Sequence, residues 1–162
     1  MKIITSIKDQ RDYCDSLNKD GKEISLIPTM GNLHDGHENI LSKANTLKNH
    51  TVVSLFVNPL QFNIIDDYES YPKTIDADIA MLERNKINCL FMPSKNKIIE
   101  DIGDFEPHSL PEYTNILCGK YREGHFLGVF KIVKKLFEIT KPAVAYFGKK
   151  DYQQLIMINH IA

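Results

Sequence analysis

Apolar positions along the chain fall into two rhythms. Short runs at 23–27, 51–57, 89–92 and 143–147 are continuously apolar or β-branched, as expected of strands buried on both faces of a parallel sheet. Between them the apolar residues recur at helical spacing: Ile40, Leu41, Ala44 and Leu47, then Ile75, Ile79 and Leu82, then Val129, Ile132, Val133, Leu136 and Phe137. The pattern predicts a helix from near His37 to about Lys48 and another from Ile75 to Lys86, with Thr74 or Asp76 able to cap the second. It also predicts a strongly amphipathic helix after a loop at 121–129. An extended start at 2–4 and a polar helix over 7–18, stopping toward Gly21, precede the first run and are expected to pack on one sheet edge. Residues 63–72 read as an exposed acidic loop. Residues 94–118, interrupted by Pro107 and Pro111, read as irregular structure or short edge strands. Leu155, Ile156, Ile158 and Ile161 begin a last apolar helix face. Strands alternating with helices predict an α/β fold with a parallel sheet.

Composition narrows the picture little. With 162 residues, 43% apolar and 25% charged, the chain has the makings of one globular domain, residues 1–162. A net charge of −1 implies no general attraction to nucleic acid or membrane. No apolar run approaches the roughly 18–20 residues that span a bilayer, and no signal-peptide core precedes the first helix. Cys14, Cys89 and Cys118 are odd in number and widely spaced, so they read as reduced, buried thiols of a cytoplasmic protein; no metal-ligand set is identified.

The candidate chemistry lies where strands turn into helices. Pro28-Thr29-Met30-Gly31-Asn32-Leu33-His34-Asp35-Gly36-His37 joins the first run to its helix. The first N–H groups of a helix and its positive dipole end favour an anion. Gly31 and Gly36 let a ligand approach the backbone, and His34 and His37 offer ring donors to phosphate, one of them able to protonate a departing phosphate. Asn58 and Gln61 follow the second run across a turn stiffened by Pro59. His125 stands between Gly124 and Gly128 at the opening of the amphipathic helix. At the last crossing, Gly148-Lys149-Lys150-Asp151 offers cations for phosphate and a carboxylate for a helix cap or a ribose hydroxyl, with Gln154 three residues on.

These blocks carry a resemblance. Thr-Met-Gly-x-Leu-His-x-Gly-His at 29–37 resembles the His-x-Gly-His signature of the nucleotidylyl-transferase superfamily. Four stretches extend it: Phe56-Val57-Asn58-Pro59-x-Gln61-Phe62, Tyr71-Pro72-Lys73-Thr74, Gly124-His125-Phe126-x-Gly128-Val129 and Phe147-Gly148-x-Lys150-Asp151-Tyr152-Gln153-Gln154. In this order they are similar to the pantothenate synthetase (pantoate–β-alanine ligase) family. The resemblance implies a Rossmann-like doubly wound parallel sheet, and a smaller C-terminal domain that these 162 residues lack. It implies ATP and Mg²⁺ as reaction partners, pantoate and β-alanine as substrates, a pantoyl-adenylate intermediate, AMP and pyrophosphate as products, and a cytoplasmic homodimer. It assigns His37, His34 and Lys150 to catalysis. It gives ATP to residues 30–37 (Met30, Gly31, Asn32, Leu33, His34, Asp35, Gly36, His37) and to Gly148, Lys149, Lys150 and Asp151, and gives pantoate or β-alanine to Gln61, Gln154, Asn58 and His125. The chain departs from the family at Leu127, where arginine is usual, at Lys131, where threonine is, and at Lys149, where glutamate is. Two alternatives remain open: a nucleotidylyl transferase acting on a phosphorylated acceptor, and a nucleotide-binding module with little turnover.

Overall fold

The computed structural model describes residues 1–104 and 110–161; Pro107, read above as a breaker, lies outside them, as does Ala162. Five strands form one parallel sheet in the order β1-β4-β3-β2-β5: β1 (Lys2–Ile4), β2 (Ile24–Thr29), β3 (His50–Leu55), β4 (Cys89–Phe91) and β5 (Val144–Ala145). Ser25 stands opposite Thr51 on one side of β2 and opposite Val144 on the other.

The runs are apolar throughout because both faces of the sheet are covered. Ile24, Leu26, Val52, Cys89 and Phe91 pack on one side with α1 (Ile7–Lys19), α5 (Lys95–Ile102) and α7 (His125–Thr140). The alternate residues Ile27, Val53 and Leu90 pack on the other with α2 (Asp35–Asn45) and α4 (Ile75–Arg84). This is the doubly wound Rossmann-like architecture. A third apolar group, Phe126, Val129, Val133, Met157 and Ile158, joins α7 to α8 (Tyr152–Ile158).

Several elements differ from expectation. Helix α1 covers a face of the sheet, burying Cys14 and Leu17, while the edge belongs to β1. Helix α2 starts at Asp35 and ends at Asn45, because the His34 side chain caps it two residues earlier than the apolar spacing shows. The 63–72 loop contains the short helix α3 (Ile65–Glu69). The stretch read as irregular holds α5, a 3-10 turn (Glu112–Asn115) and α6 (Cys118–Tyr121). Ile98 and Ile102, one helical turn apart, supply the buried stripe of α5 among charged neighbours. The thiols also divide: Cys14 and Cys89 are buried, but Cys118 is exposed. Buried Gln10 lies between the first two, donating to Cys14 Sγ at 3.2 Å and accepting from Cys89 Sγ at 3.6 Å. Burial pushes the Cys89 thiol up to about 12, so it stays protonated.

What positions the site is the turn-round at β2. The chain proceeds from β2 to β3 and β4 on one side, then returns to place β5 on the other. Open α/β sheets leave a crevice beyond the strand ends at such a reversal.

Candidate active site

That crevice is a cavity of about 750 Å³, of a size that holds a cofactor or a small substrate pair. Its wall gathers residues from the turns after β2, β3 and β5 and from α7.

The loop after β2 contributes Met30, Gly31, His34, Gly36 and His37. His34 is the N-cap of α2, and its Nδ1 accepts from Gly36 N at 3.0 Å. His37 Nδ1 in turn accepts from His34 N at 3.3 Å, closing a capping box in which both partners are imidazoles. The two rings stand 4.3 Å apart, centroid to centroid. A nitrogen that accepts a backbone N–H carries no proton, so each neutral ring keeps its proton on Nε2, available to donate to a ligand. Burial, then the neighbouring His34, push His37 below the ordinary imidazole range, and Asp78 partly opposes them. His37 is therefore neutral at pH 7 in the free protein.

The two glycines line the cavity and also have a second use within the loop. A Cβ on Gly36 would fall 2.8 Å from His34 Cε1, and one on Gly31 would fall 3.0 Å from Asp78 Oδ2. Gly31 also has φ of +81°. Each makes room for the loop's own supports. Asn32, Leu33 and Asp35 are not among the residues lining the cavity. The backbone N–H groups of Asn32 and Leu33 are bonded to Asp78.

The turn after β3 is a fixed cradle for Gln61. Asn58, 2% exposed, caps the 3-10 turn Pro59–Gln61 through Oδ1, which accepts from Leu60 N at 3.0 Å. Its Nδ2 donates to Gly128 O at 3.0 Å and to Gln61 Oε1 at 3.2 Å. Asn58 thus lines the cavity with its amide already engaged inside the protein. His125 is engaged similarly: Nδ1–H donates to Gln61 O at 2.9 Å, and burial holds the ring below the usual histidine range. Gly128 lets α7 close on the turn, for a Cβ there would lie 2.1 Å from Leu60 O. The Gln61 NH₂ group has a weak partner, donating to Met30 Sδ at 2.9 Å. A thioether is a poor acceptor, so this amide is readily given up to a substrate oxygen.

From β5 onward, Gly148, Lys149, Lys150, Asp151 and Gln154 all line the cavity. Gly148 has φ of −71° and open space at its missing Cβ, so neither its backbone nor its neighbours require glycine. Asp151 occupies the N-cap position of α8 without a capping bond, leaving its exposed carboxylate free for a ligand. Gln153, next to Gln154, turns the other way: it donates to Tyr113 O and Ile116 O at 2.6 and 2.8 Å and accepts from Cys118 N. Of the three departures from the family pattern, only Lys149 reaches the cavity.

Sequence reasoning missed two parts of this wall and a support behind it. The α7 residues Val129, Ile132, Val133 and Leu136, read only as core, also line the cavity. Tyr71 lines it too, its phenol pushed up by burial and then by Asp78. Asp78 itself supports the loop from behind; the available signal was a carboxylate on the apolar stripe of α4, three residues after Ile75 and four before Leu82.

Comparison with known proteins identifies the family. The family model for pantoate-beta-alanine ligase matches residues 2–162. Pantothenate synthetases from Carboxydothermus hydrogenoformans and Legionella pneumophila are 40% and 41% identical, over 99% and 98% of this chain and 57% and 62% of their own lengths. The crystal structure of pantoate-beta-alanine ligase from Francisella tularensis, complexed with beta-gamma ATP and beta-alanine, superposes with a TM-score of 0.93 at 41% identity, over 99% of this chain and 61% of that one. Pantothenate synthetase from Thermus thermophilus gives a TM-score of 0.84 at 33% identity, over 99% and 56%. The chain thus spans a little over half the length of the relatives it matches. On sequence and fold together, it belongs to the pantoate–β-alanine ligase family.

Proposed function

We propose that these residues form the ATP- and pantoate-binding part of an enzyme that condenses pantoate with β-alanine. The proposed route activates the pantoate carboxylate as its adenylate, releasing pyrophosphate; attack by the β-alanine amine then forms the amide and releases AMP. One observation carries the reading: a single cavity brings together the paired histidines His34 and His37, two lysines, three neutral side-chain amides and an apolar wall.

Each group suits one part of that chemistry. Two anions, a carboxylate and a triphosphate, must meet. The Nε2–H donors of His34 and His37, with Lys149 and Lys150, are assigned to the triphosphate, where charge grows as pyrophosphate leaves. His37, neutral at rest, stabilises that charge as a hydrogen-bond donor. Gln61 and Gln154 orient the acid without an ion pair that would blunt its attack. Val129, Ile132, Val133 and Leu136 suit the dimethyl carbon of pantoate better than they suit a phosphorylated acceptor, which disfavours the nucleotidylyl-transferase alternative.

Among the described residues no group of three or more His, Cys, Asp or Glu could hold a metal ion, and Asp151 is the one carboxylate lining the cavity. This fits Mg²⁺ carried in on the triphosphate, with Asp151 as its protein partner; Mg²⁺ bound there would neutralise phosphate charge. A homodimeric, cytoplasmic enzyme completes the proposal; light scattering tests the assembly. Among the described residues no helix is long and apolar enough to cross a membrane.

The direct test titrates the chain calorimetrically with ATP–Mg²⁺, with pantoate and with both, then adds β-alanine and assays AMP. Binding of both ligands is expected, each strengthening the other. Binding of neither would sink the proposal, and binding without AMP release would identify residues 1–162 as a nucleotide-binding module.

A further inference from the structure

Asp78 is a buried carboxylate beside the cavity, 2% exposed and absent from its lining. Among the described residues no lysine or arginine forms an ion pair with it. Its charge is met by the loop after β2. Oδ1 accepts from Leu33 N at 2.8 Å and Oδ2 from Asn32 N at 3.0 Å, while Thr74 Oγ1 donates to Oδ2 at 3.2 Å. Gly31 and Asn32 both have left-handed backbone, φ +81° and +53°. Left-handed conformations of this kind help aim successive N–H groups at one point, an arrangement that commonly holds an anion. Here the protein supplies the anion itself. A buried charge is retained against a substantial desolvation cost only when such charge-assisted bonds offset it.

We propose that Asp78 is the positioning residue of the His34–His37 loop: from α4 it grips Asn32 N and Leu33 N and so fixes the turn that presents both imidazoles to the nucleotide's phosphates. Because those two amides are occupied, and Gly36 N, His37 N and Glu38 N are bonded to His34, phosphate contact falls to the side chains of His34 and His37. The inference rests on the function proposed above and adds a residue that touches no ligand.

The test compares wild type with Asp78→Asn and Asp78→Ala. Asparagine keeps the volume and one acceptor oxygen but turns an NH₂ toward the second loop amide; alanine removes both acceptors. ATP–Mg²⁺ affinity is measured by calorimetry. Amide exchange at Asn32 and Leu33, and imidazole titration of His37 and His50, are followed by NMR without ligand. His37 is faced by His34 from the loop and by Asp78 from α4, the first opposing its protonated form and the second favouring it; His50 lies in β3 and serves as control. We expect ATP–Mg²⁺ to bind about tenfold or more weakly to both variants, the loss associated with a charge-assisted hydrogen bond. The two amides should exchange faster, and His37 should titrate lower while His50 is unmoved. If alanine prevents folding, asparagine decides. Wild-type values on all readouts in Asp78→Asn would overturn the proposal, and so would equal movement of His37 and His50, which marks a general packing role. A wild type that binds no ATP would count against the proposed function; amide exchange and His37 titration would still decide the role of Asp78.

Discussion

Gln61 is held from several sides, and its neighbours show what each side is worth. Gly128→Ala would drive a methyl group into the carbonyl of Leu60, a backbone atom that cannot rotate away. We expect a loss of about 1–3 kcal/mol in thermal unfolding, with pantoate affinity falling more than ATP affinity, because the displaced turn carries Gln61. His37→Ala should remove most adenylation in an otherwise active full-length protein while the fold survives, since only one half of a capping box is lost, about 1 kcal/mol; unchanged turnover would deny His37 its role. The histidines were legible in the sequence because their spacing around glycine is itself a chemical statement. Asn58 and His125 were legible as residues but not as roles. That Asn58 donates to Gly128 O and His125 to Gln61 O depends on α7 docking from 70 and 64 residues away along the chain, which no local pattern encodes.

Among elements, α8 shows a division of labour between adjacent glutamines. Gln154 lines the cavity, whereas Gln153 ties the 3-10 turn Glu112–Asn115 and the start of α6 to α8. Gln153→Ala should cost about 1 kcal/mol, reduced by partial exposure of the bonds, and the loss should be local. Hydrogen exchange should quicken over 111–121 and stay unchanged in β2, β3 and β4; a uniform increase would argue against a local strut. Helical spacing located α2, α4 and α7 because their stripes are long. It missed α5, whose two buried isoleucines lie in a charged segment, and it began α2 two residues late, because the start is set by the His34 side-chain cap and not by apolar phase. Strand positions survived best, since continuous apolar runs have few other uses in a sheet covered on both faces.

At the scale of the molecule, three histidines among the described residues are buried enough to resist protonation. His37, His50 and His125 are all held below the ordinary imidazole value of 6.5, each chiefly by burial. Between that value and their folded ones the unfolded chain binds more protons, so stability rises with pH. Their contribution is present above about pH 6.5 and is lost as pH falls through the folded values. The lowered carboxylates Asp15, Glu38, Asp101 and Glu138 act only below their ordinary values, so melts between pH 7.5 and 5.5 isolate the histidines. The melting temperature should fall across that range, and His50→Gln should flatten the fall; a pH-independent melt would refute the assignment.

The strand order also bears on how the chain is made. β1, β2, β3 and β4 are all synthesised by residue 91, and β1 already has its partner β4 by then. The helices that cover one face, α2 and α4, lie within that length, but α7, which covers much of the other, does not. On the ribosome, a four-stranded sheet with one face covered only by α1 and then α5 must therefore wait for residues 125–140 to complete that cover. In that interval the part of the Leu26, Val52 and Phe91 face that α7 covers is left as a sticky surface, a natural target for nascent-chain chaperones. On the function proposed above, the same delay would keep the newborn chain from holding nucleotide, because Lys149 and Lys150 come later still.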